Sequence, residues 1–236
     1  MAQDNKETEE SDKSRRTFLK AMGIVGIGVL AIGSLRGVIQ NIIPPLSNAV
    51  SSFPTLTIVS TSGKPINTTD IQVNNPTPFL FDYPLQNEPN FLLRLGDSNN
   101  KDMAIKSVKV NDPGDGNSFV SAPGVGPYNS VIASSAICQH LGCVPPKIEF
   151  YPPSSSSFPG KIHCSCHGST YDPYTGFSIV TGPTQHPLPN TQLSYDSSSD
   201  TYKVMGMVGP TIYGHINDLS GGSALPSTST TQVSSS

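Results

Sequence analysis

The chain has 236 residues, and its 14 lysine and arginine residues against 17 aspartate and glutamate residues leave a formal net charge of −3. This length can bury a sizeable core without a disulfide scaffold, and the acidic balance argues against a nucleic-acid partner, which would favour a clustered basic face. Only 13% of the residues are charged, and 22 prolines and 21 glycines interrupt any long helical pattern, which indicates a turn-rich β protein.

The N-terminal segment predicts an export signal followed by a membrane anchor. Residues 1–20 are expected to form a cytoplasmic tail that ends in Ser14-Arg15-Arg16-Thr17-Phe18-Leu19-Lys20, a run that resembles the twin-arginine signal. Residues 21–43 are expected to form one transmembrane helix, because about 20 residues are needed to cross the ~30 Å hydrocarbon core. No small-x-small cleavage site follows, so we expect a retained single-pass anchor in the lipid of the cell membrane. The basic residues before it predict that the rest of the chain lies on the extracytoplasmic side.

Two further segments are expected to lack regular structure. Pro44-Pro45 ends the predicted helix and opens a linker over residues 44–54. At the other end, residues 219–236 are rich in serine and threonine, and no charged residue follows Gly221. Such a composition buries too little apolar area to order itself, so this segment is predicted to be a disordered tail.

The region between these segments, residues 55–218, predicts one β domain. Short apolar runs rich in β-branched and aromatic residues recur there between clusters of proline, glycine, asparagine and aspartate. These runs cover residues 56–59, 79–83, 91–95, 103–110, 131–133, 177–180 and 202–208. Several short strands with this spacing predict an antiparallel sandwich or barrel, and no stretch of the region predicts a long helix.

Two short boxes carry the residues with metal chemistry. The first is Cys138-Gln139-His140-Leu141-Gly142-Cys143, and the second is Cys164-Ser165-Cys166-His167-Gly168-Ser169-Thr170-Tyr171. All four cysteines of the chain lie in them. The six cysteine and histidine side chains exceed the four ligands of a tetrahedral zinc or a two-iron cluster, and a disulfide is a natural use for a spare pair in an exported domain.

The pattern C-x-H-x-G-C followed by C-x-C-H-x-S resembles the Rieske iron-sulfur proteins of the cytochrome bc type, over residues 131–183. The resemblance implies an all-β, antiparallel Rieske-type β sandwich with a small cluster-binding subdomain at about residues 131–185. It further implies a [2Fe-2S] cluster, with Cys138 and Cys164 on one iron and His140 and His167 on the other. Cys143 and Cys166 would then form a disulfide between the two loops.

The resemblance also implies roles for three neighbouring residues. Ser169 and Tyr171 occupy positions that donate hydrogen bonds to a cluster sulfide and to a ligand cysteine sulfur, and Leu141 lies beside the cluster and helps to seal it from water. Two ferric ions, two sulfides and two thiolates sum to about zero charge, which makes the addition of an electron easy. The reduction potentials of such centres are about −150 to +300 mV, against about −400 mV for plant-type ferredoxins. Both hydrogen bonds stabilise the more negative reduced state, so we expect a potential toward the upper end.

Histidine ligation predicts that electron uptake is coupled to proton uptake. An imidazole that binds iron through one nitrogen can still lose or gain a proton at the other, and the iron lowers that pKa more when it is oxidised. A hydroquinone gives up both an electron and a proton. His167, with His140 beside it, is expected to receive the proton. The sequence therefore predicts the electron-transfer subunit of a membrane respiratory complex. Its partners would be membrane quinol, a cytochrome b-like subunit, and a cytochrome or copper centre as electron acceptor.

Two other functions are compatible with the same boxes. The small Rieske subunit of a periplasmic oxidase, such as an arsenite oxidase, shares the export signal and the cluster, but tends to lack the Ser169 and Tyr171 counterparts and a permanent anchor. A zinc-stabilised secreted binding module would use the same four ligands without colour. His163, His186 and His215 are expected to be structural or solvent-facing. Gly182-Pro183 resembles the start of a loop that covers the cluster, although Gln185 stands where a second proline is usual.

Overall fold

A computed structural model describes residues 53–226 and 228–233 of the chain. The chain divides into two units, and all the described residues belong to the second, residues 46–236. The predicted export signal and transmembrane helix, and all but the last two residues of the predicted linker, lie outside the described residues. Within the described part, no helix is long and apolar enough to cross a membrane.

The described residues form an all-β structure, as predicted. It contains two 3-10 turns, at Thr68–Asp70 and Pro173–Thr175, and thirteen strands. The strands are β1 (Leu56–Thr57), β2 (Phe79–Asp82), β3 (Pro89–Arg94), β4 (Lys109–Asp112), β5 (Asn117–Val120), β6 (Val131–Ser135), β7 (Ile148–Tyr151), β8 (Lys161–Cys164), β9 (Thr170–Asp172), β10 (Ser178–Thr181), β11 (Asn190–Asp196), β12 (Thr201–Val208) and β13 (Thr231–Val233).

A seven-stranded antiparallel sheet forms the body of the domain, in the order β1-β12-β11-β6-β3-β2-β13. Strand β3 is buried along almost its whole length, because its alternating side chains enter two different cores. Leu92 packs into the first core with Phe81, Tyr202 and Val204, while Phe91 and Leu93 point into the second. A strand covered on both faces carries a nearly continuous apolar run, which is why the sequence predicts a strand at residues 91–95.

A four-stranded antiparallel sheet, in the order β10-β9-β8-β7, carries the site. Its side chains Ile148, Phe150 and Ile162 fill the second core together with Phe91 and Leu93 of the larger sheet. This shared apolar layer fixes the ends of β6 and β8 relative to each other, and the two cysteine-containing loops begin at those two ends. Strands β4 and β5 form a separate hairpin.

Three parts of the chain differ from the sequence-based expectations. The tail predicted to be disordered contains β13, whose residues pair with Leu80, Phe81 and Asp82 of β2. Main-chain hydrogen bonds to the open edge of β2 order this segment, and they need no apolar composition. The run 103–110 contributes only the start of β4, and the residues between the two boxes, which match none of the predicted strand runs, form the β7–β8 hairpin.

Candidate metal centre

The two boxes fold into two loops with the same main-chain plan. In the first, the amide of Cys138 donates to the carbonyl of Cys143, and the amide of Gly142 donates to the carbonyl of Cys138, both at 2.9 Å. The second repeats this plan, because the amide of Cys164 donates to the carbonyl of Ser169 at 2.8 Å and that of Gly168 to the carbonyl of Cys164 at 2.9 Å. Gly142 and Gly168 both have positive φ angles, +75° and +87°. The spacing within each box is therefore that of a tight turn closed by a left-handed glycine.

A disulfide joins the two loops. Its sulfur atoms belong to Cys143 and Cys166, 2.14 Å apart and 23 residues apart in the chain. The structure thus contains the disulfide that the resemblance implies. It leaves Cys138 and Cys164 as free, buried thiols.

The four predicted ligands are arranged with their thiols inside and their imidazoles outside. Cys138 and Cys164 are each 1% exposed, and each belongs to the second core. The rings of His140 and His167 are 4.8 Å apart between centroids and nearly perpendicular, at 84°. His140 is half-buried and His167 is exposed. The site is therefore reached from solvent at its histidine end.

Two buried polar atoms of the site have no hydrogen-bond partner among the described residues. They are Nδ1 of His140 and Oγ of Ser169. Burial, reinforced by the neighbouring Cys138 thiol, also raises the pKa of the Cys164 thiol to about 11. Buried polar groups normally have a partner, and a buried thiol becomes a thiolate when a metal cation binds it. The unpaired nitrogen and hydroxyl, together with the two buried thiols, therefore fit an iron-sulfur cluster with mixed sulfur and nitrogen ligands.

The spacing of the donor atoms favours two metal ions over one. Among the described residues, one set of three cysteines, Cys143, Cys164 and Cys166, has its sulfur atoms within 4.8 Å of one another. The ring nitrogens of His140 and His167 belong to no such set of three ligand atoms. A tetrahedral zinc holds all four donors at about 2.0–2.3 Å, so they lie less than about 4 Å apart. A single zinc would therefore need the four donors to lie closer together than they do, whereas a cluster of two irons does not require all four to converge on one point.

The residues around the ligands occupy distinct positions. Tyr171 is fully buried, and its hydroxyl lies 3.4 Å from Sγ of Cys138 and accepts a hydrogen bond from the amide of Gln139 at 3.1 Å. Burial, together with the Cys138 contact, raises the pKa of Tyr171, so its hydroxyl keeps its proton at neutral pH. Leu141 is 54% exposed, so it extends the outer surface beside His140.

The remaining histidines contact residues other than the four predicted ligands. Nδ1 of His163 lies 2.9 Å from Oγ1 of Thr170, and its ring stacks on Phe158 at 3.6 Å. His186 contacts Asp112, and His215 lies beside Glu88. All three therefore make side-chain contacts within the domain, as expected for structural histidines. The carboxylate partners of His186 and His215 cannot be found from the sequence, because a buried Asp or Glu has no local pattern that distinguishes it from a surface residue.

Comparisons with known proteins agree with this site. The family described as Rieske [2Fe-2S] domain matches residues 101–192. A "Putative respiratory nitrate reductase subunit Rieske" from Haloferax mediterranei is 34% identical over 83 residues, 33% of this chain and 33% of that protein. A "Cytochrome b6-f complex iron-sulfur subunit" from a Synechococcus species is 23% identical over 192 residues, 81% of this chain and 87% of that protein.

A solved structure has the same fold. It is the soluble domain of Rieske protein II from Sulfolobus acidocaldarius, with a TM-score of 0.53 and 26% sequence identity, covering 72% of this chain and 86% of that one. The matched family segment contains both boxes and the loops that the disulfide joins. Residues 101–192 of this chain therefore form a Rieske [2Fe-2S] domain, and the cofactor of the protein is a Rieske-type [2Fe-2S] cluster.

Proposed function

We propose that this protein is the electron-transfer subunit of a membrane respiratory complex that oxidises quinol and delivers the electron to a cytochrome or copper acceptor. In this proposal Cys138 and Cys164 hold one iron, and His140 and His167 hold the other. When bound, the cluster supplies a one-electron acceptor at a moderate potential. Two relatives, named as subunits of a respiratory nitrate reductase and of a cytochrome b6-f complex, support a place in such an assembly.

The observation that carries the proposal is the composition of the exposed end of the site. His167 is exposed there, and Leu141 and Val144 are exposed in the neighbouring loop. An apolar surface around an imidazole suits a donor that is itself largely apolar and has one hydroxyl to hydrogen-bond, as a quinol does. His167 would accept that hydrogen bond and then the proton at the ring nitrogen that does not bind iron.

The inner residues of the chain tune and protect the site. Ser169 and Tyr171 each present a protonated hydroxyl to the buried end, where a donor stabilises added negative charge. The disulfide holds the two loops against each other while the histidine end remains open to a partner. We also propose that residues 21–43 anchor the protein and that a cytochrome b-like subunit forms the quinol pocket against its histidine end.

The proposal is tested by purifying the full chain from its native membranes in detergent, with an affinity tag at the C terminus. We expect a haem-containing subunit to copurify, and a quinol to reduce the iron-sulfur centre. Changing Leu141 to aspartate should slow reduction by quinol at least tenfold, because a charge disrupts the apolar contact, while reduction by dithionite stays fast. Met205→Asp is the matched control, since Met205 is an exposed apolar residue on β12. Release of the protein without detergent and no reduction by quinol would refute the proposal.

Proton coupling has its own test. The midpoint potential should fall by about 59 mV per pH unit wherever one proton is taken up with each electron. A potentiometric titration between pH 6 and pH 10 measures it. A midpoint that stays flat over this range would show that the histidines carry no proton with the electron.

A further inference from the structure

One loop lies directly against the second box and has little regular structure of its own. It comprises residues 182–187, between the ends of β10 and β11, and we call it the covering loop. Gly182 begins it at φ +98°, and a Cβ placed there would lie 2.5–2.7 Å from backbone atoms of Gly168 and Ser169. The covering loop is therefore in backbone contact with the turn that carries His167.

The covering loop also reaches the residue that contacts a ligand sulfur. Thr184 is buried, and its hydroxyl donates to the carbonyl of His186 at 2.9 Å. The same hydroxyl contacts that of Tyr171. Since Tyr171 lies 3.4 Å from Sγ of Cys138, any displacement of the covering loop changes the packing of a hydroxyl that contacts the site.

A separate element holds the other side of the covering loop. The turn between β4 and β5 donates a hydrogen bond from the amide of Gly114 to the carbonyl of Gln185 at 2.9 Å. Asp112, at the end of β4, is buried, and its Oδ1 lies 2.8 Å from Nδ1 of His186. Gly114 lies under the His186 ring so closely that a Cβ there would overlap the imidazole. Two polar contacts and one close packing contact thus hold the covering loop against the β4–β5 hairpin.

We propose that Asp112, Gly114 and His186 form a clamp that positions the covering loop, and through Thr184 and Tyr171 sets the hydrogen bonding at Cys138. The clamp residues are positioning residues, because none of them touches a proposed ligand. The inference rests on the cluster assignment within the proposed function. It adds that the β4–β5 hairpin, which contributes no residue to the site, controls the electron affinity of the site.

The test compares variants of the detergent-purified holoprotein poised at the wild-type midpoint potential. His186→Ala, Asp112→Asn and Gly114→Ala should each lower the ratio of reduced to oxidised cluster about threefold or more. Each change removes or weakens one contact of the clamp, and a less firmly held Tyr171 hydroxyl stabilises the reduced state less. The Gly114 amide should also exchange its hydrogen at least tenfold faster in His186→Ala, a readout independent of electron transfer.

The charge changes make the test specific. An effect of charge alone predicts opposite shifts for His186→Ala and Asp112→Asn, whereas a clamp predicts shifts in the same direction. Asp115→Asn removes an exposed charge from the same turn and should leave the ratio near that of the wild type. His186→Asn should restore most of the ratio, because its amide nitrogen takes roughly the position of Nδ1.

A double variant provides the last criterion. If Gly114→Ala acts by displacing the His186 ring, it should have no further effect in the His186→Ala protein. Opposite shifts, additive effects, or an Asp115→Asn shift as large as that of Asp112→Asn would overturn the clamp. A wild-type protein that lacks a reducible iron-sulfur signal would instead overturn the proposed function, and amide exchange at Gly114 would still decide whether the clamp exists.

Discussion

Ser169 shows how a single hydroxyl identifies the space between the two loops. The residue is fully buried, its amide lies in the turn that carries His167, and its Oγ has no partner among the described residues. Leaving a buried hydroxyl without a partner costs free energy, and a bound acceptor that gains negative charge would supply the missing partner.

Changing Ser169 to alanine should lower the midpoint potential. Charge-assisted hydrogen bonds contribute about 1.5–3 kcal/mol, so losing one that forms mainly in the reduced state lowers the potential by up to about 130 mV. A redox titration measures the shift. Ser165→Ala is the matched control, because Ser165 lies in the same box and its hydroxyl donates to the carbonyl of Lys147 instead. An unchanged midpoint in Ser169→Ala would contradict the role given to this hydroxyl.

A second group of buried polar residues lies in the turn between β2 and β3. Glu88 is buried, and burial raises its pKa from 4.5 to about 8, with Asp218 and Asp82 nearby adding to the rise. Its Oε2 accepts a hydrogen bond from the amide of Leu85, while Nδ1 of His215 lies 3.1 Å from Oε1 but outside hydrogen-bonding geometry. Asp218, whose pKa burial raises to about 6, accepts from the amide of Ile212.

These raised pKa values predict that the domain is more stable in acid. Between about pH 4.5 and pH 8 the unfolded chain binds fewer protons at Glu88 than the folded chain does, so stability falls as pH rises through this window. Glu88→Gln cannot ionise, so its melting temperature should exceed that of the wild type at pH 8 by several degrees, at about 2–4 °C per kcal/mol. The difference should vanish near pH 4. Thermal unfolding of this variant and of the exposed control Glu149→Gln measures it, and equal gains in both variants would contradict the account.

At the scale of elements, the two loops depend on the disulfide between Cys143 and Cys166. The bond closes a loop across the β7–β8 hairpin, and a loop of that length contributes about 3 kcal/mol of stability. Replacing both cysteines with serine should therefore lower the melting temperature and speed the loss of visible absorbance on heating. Differential scanning calorimetry with parallel absorbance measures both. A double variant that melts and bleaches like the wild type would show that the hairpin holds the loops unaided.

The strands differ in how visible they are from sequence. β2, β3, β6 and β12 carry apolar runs because they lie between or beside the two cores, and the sequence predicts each of them. β11 and β13 escape prediction, because Asn190–Asp196 and Thr231–Val233 are mainly polar and their main chains are ordered by pairing with neighbouring strands. β7 and β8 alternate buried and exposed residues, a usable signal that the surrounding serines and prolines obscure.

The site follows a different rule from the strands. Its ligand boxes are predicted because short turns place all their chemistry within eight residues. The contacts that hold the boxes come from distant segments, such as Asp112 and His186, which are 74 residues apart. No local pattern connects such residues, so only the folded structure identifies the clamp and the buried carboxyl groups.

At the scale of the whole molecule, the domain combines a buried thiol end with an exposed histidine end. The second core extends to the two thiols and closes the inner side of the site. The histidines then form the face that a donor or an acceptor can approach. This division explains how one domain can protect the buried thiols from water and still exchange electrons with partners.

The measurement that tests this account most directly is pulsed electron paramagnetic resonance of the purified, reduced protein. We expect a two-iron signal coupled to nitrogens of two imidazoles, with one nitrogen coupling lost when His140 is replaced and the other when His167 is replaced. Zinc without iron, or an iron signal with no nitrogen coupling, would contradict the assignment of His140 and His167 as ligands and with it the proposed electron transfer.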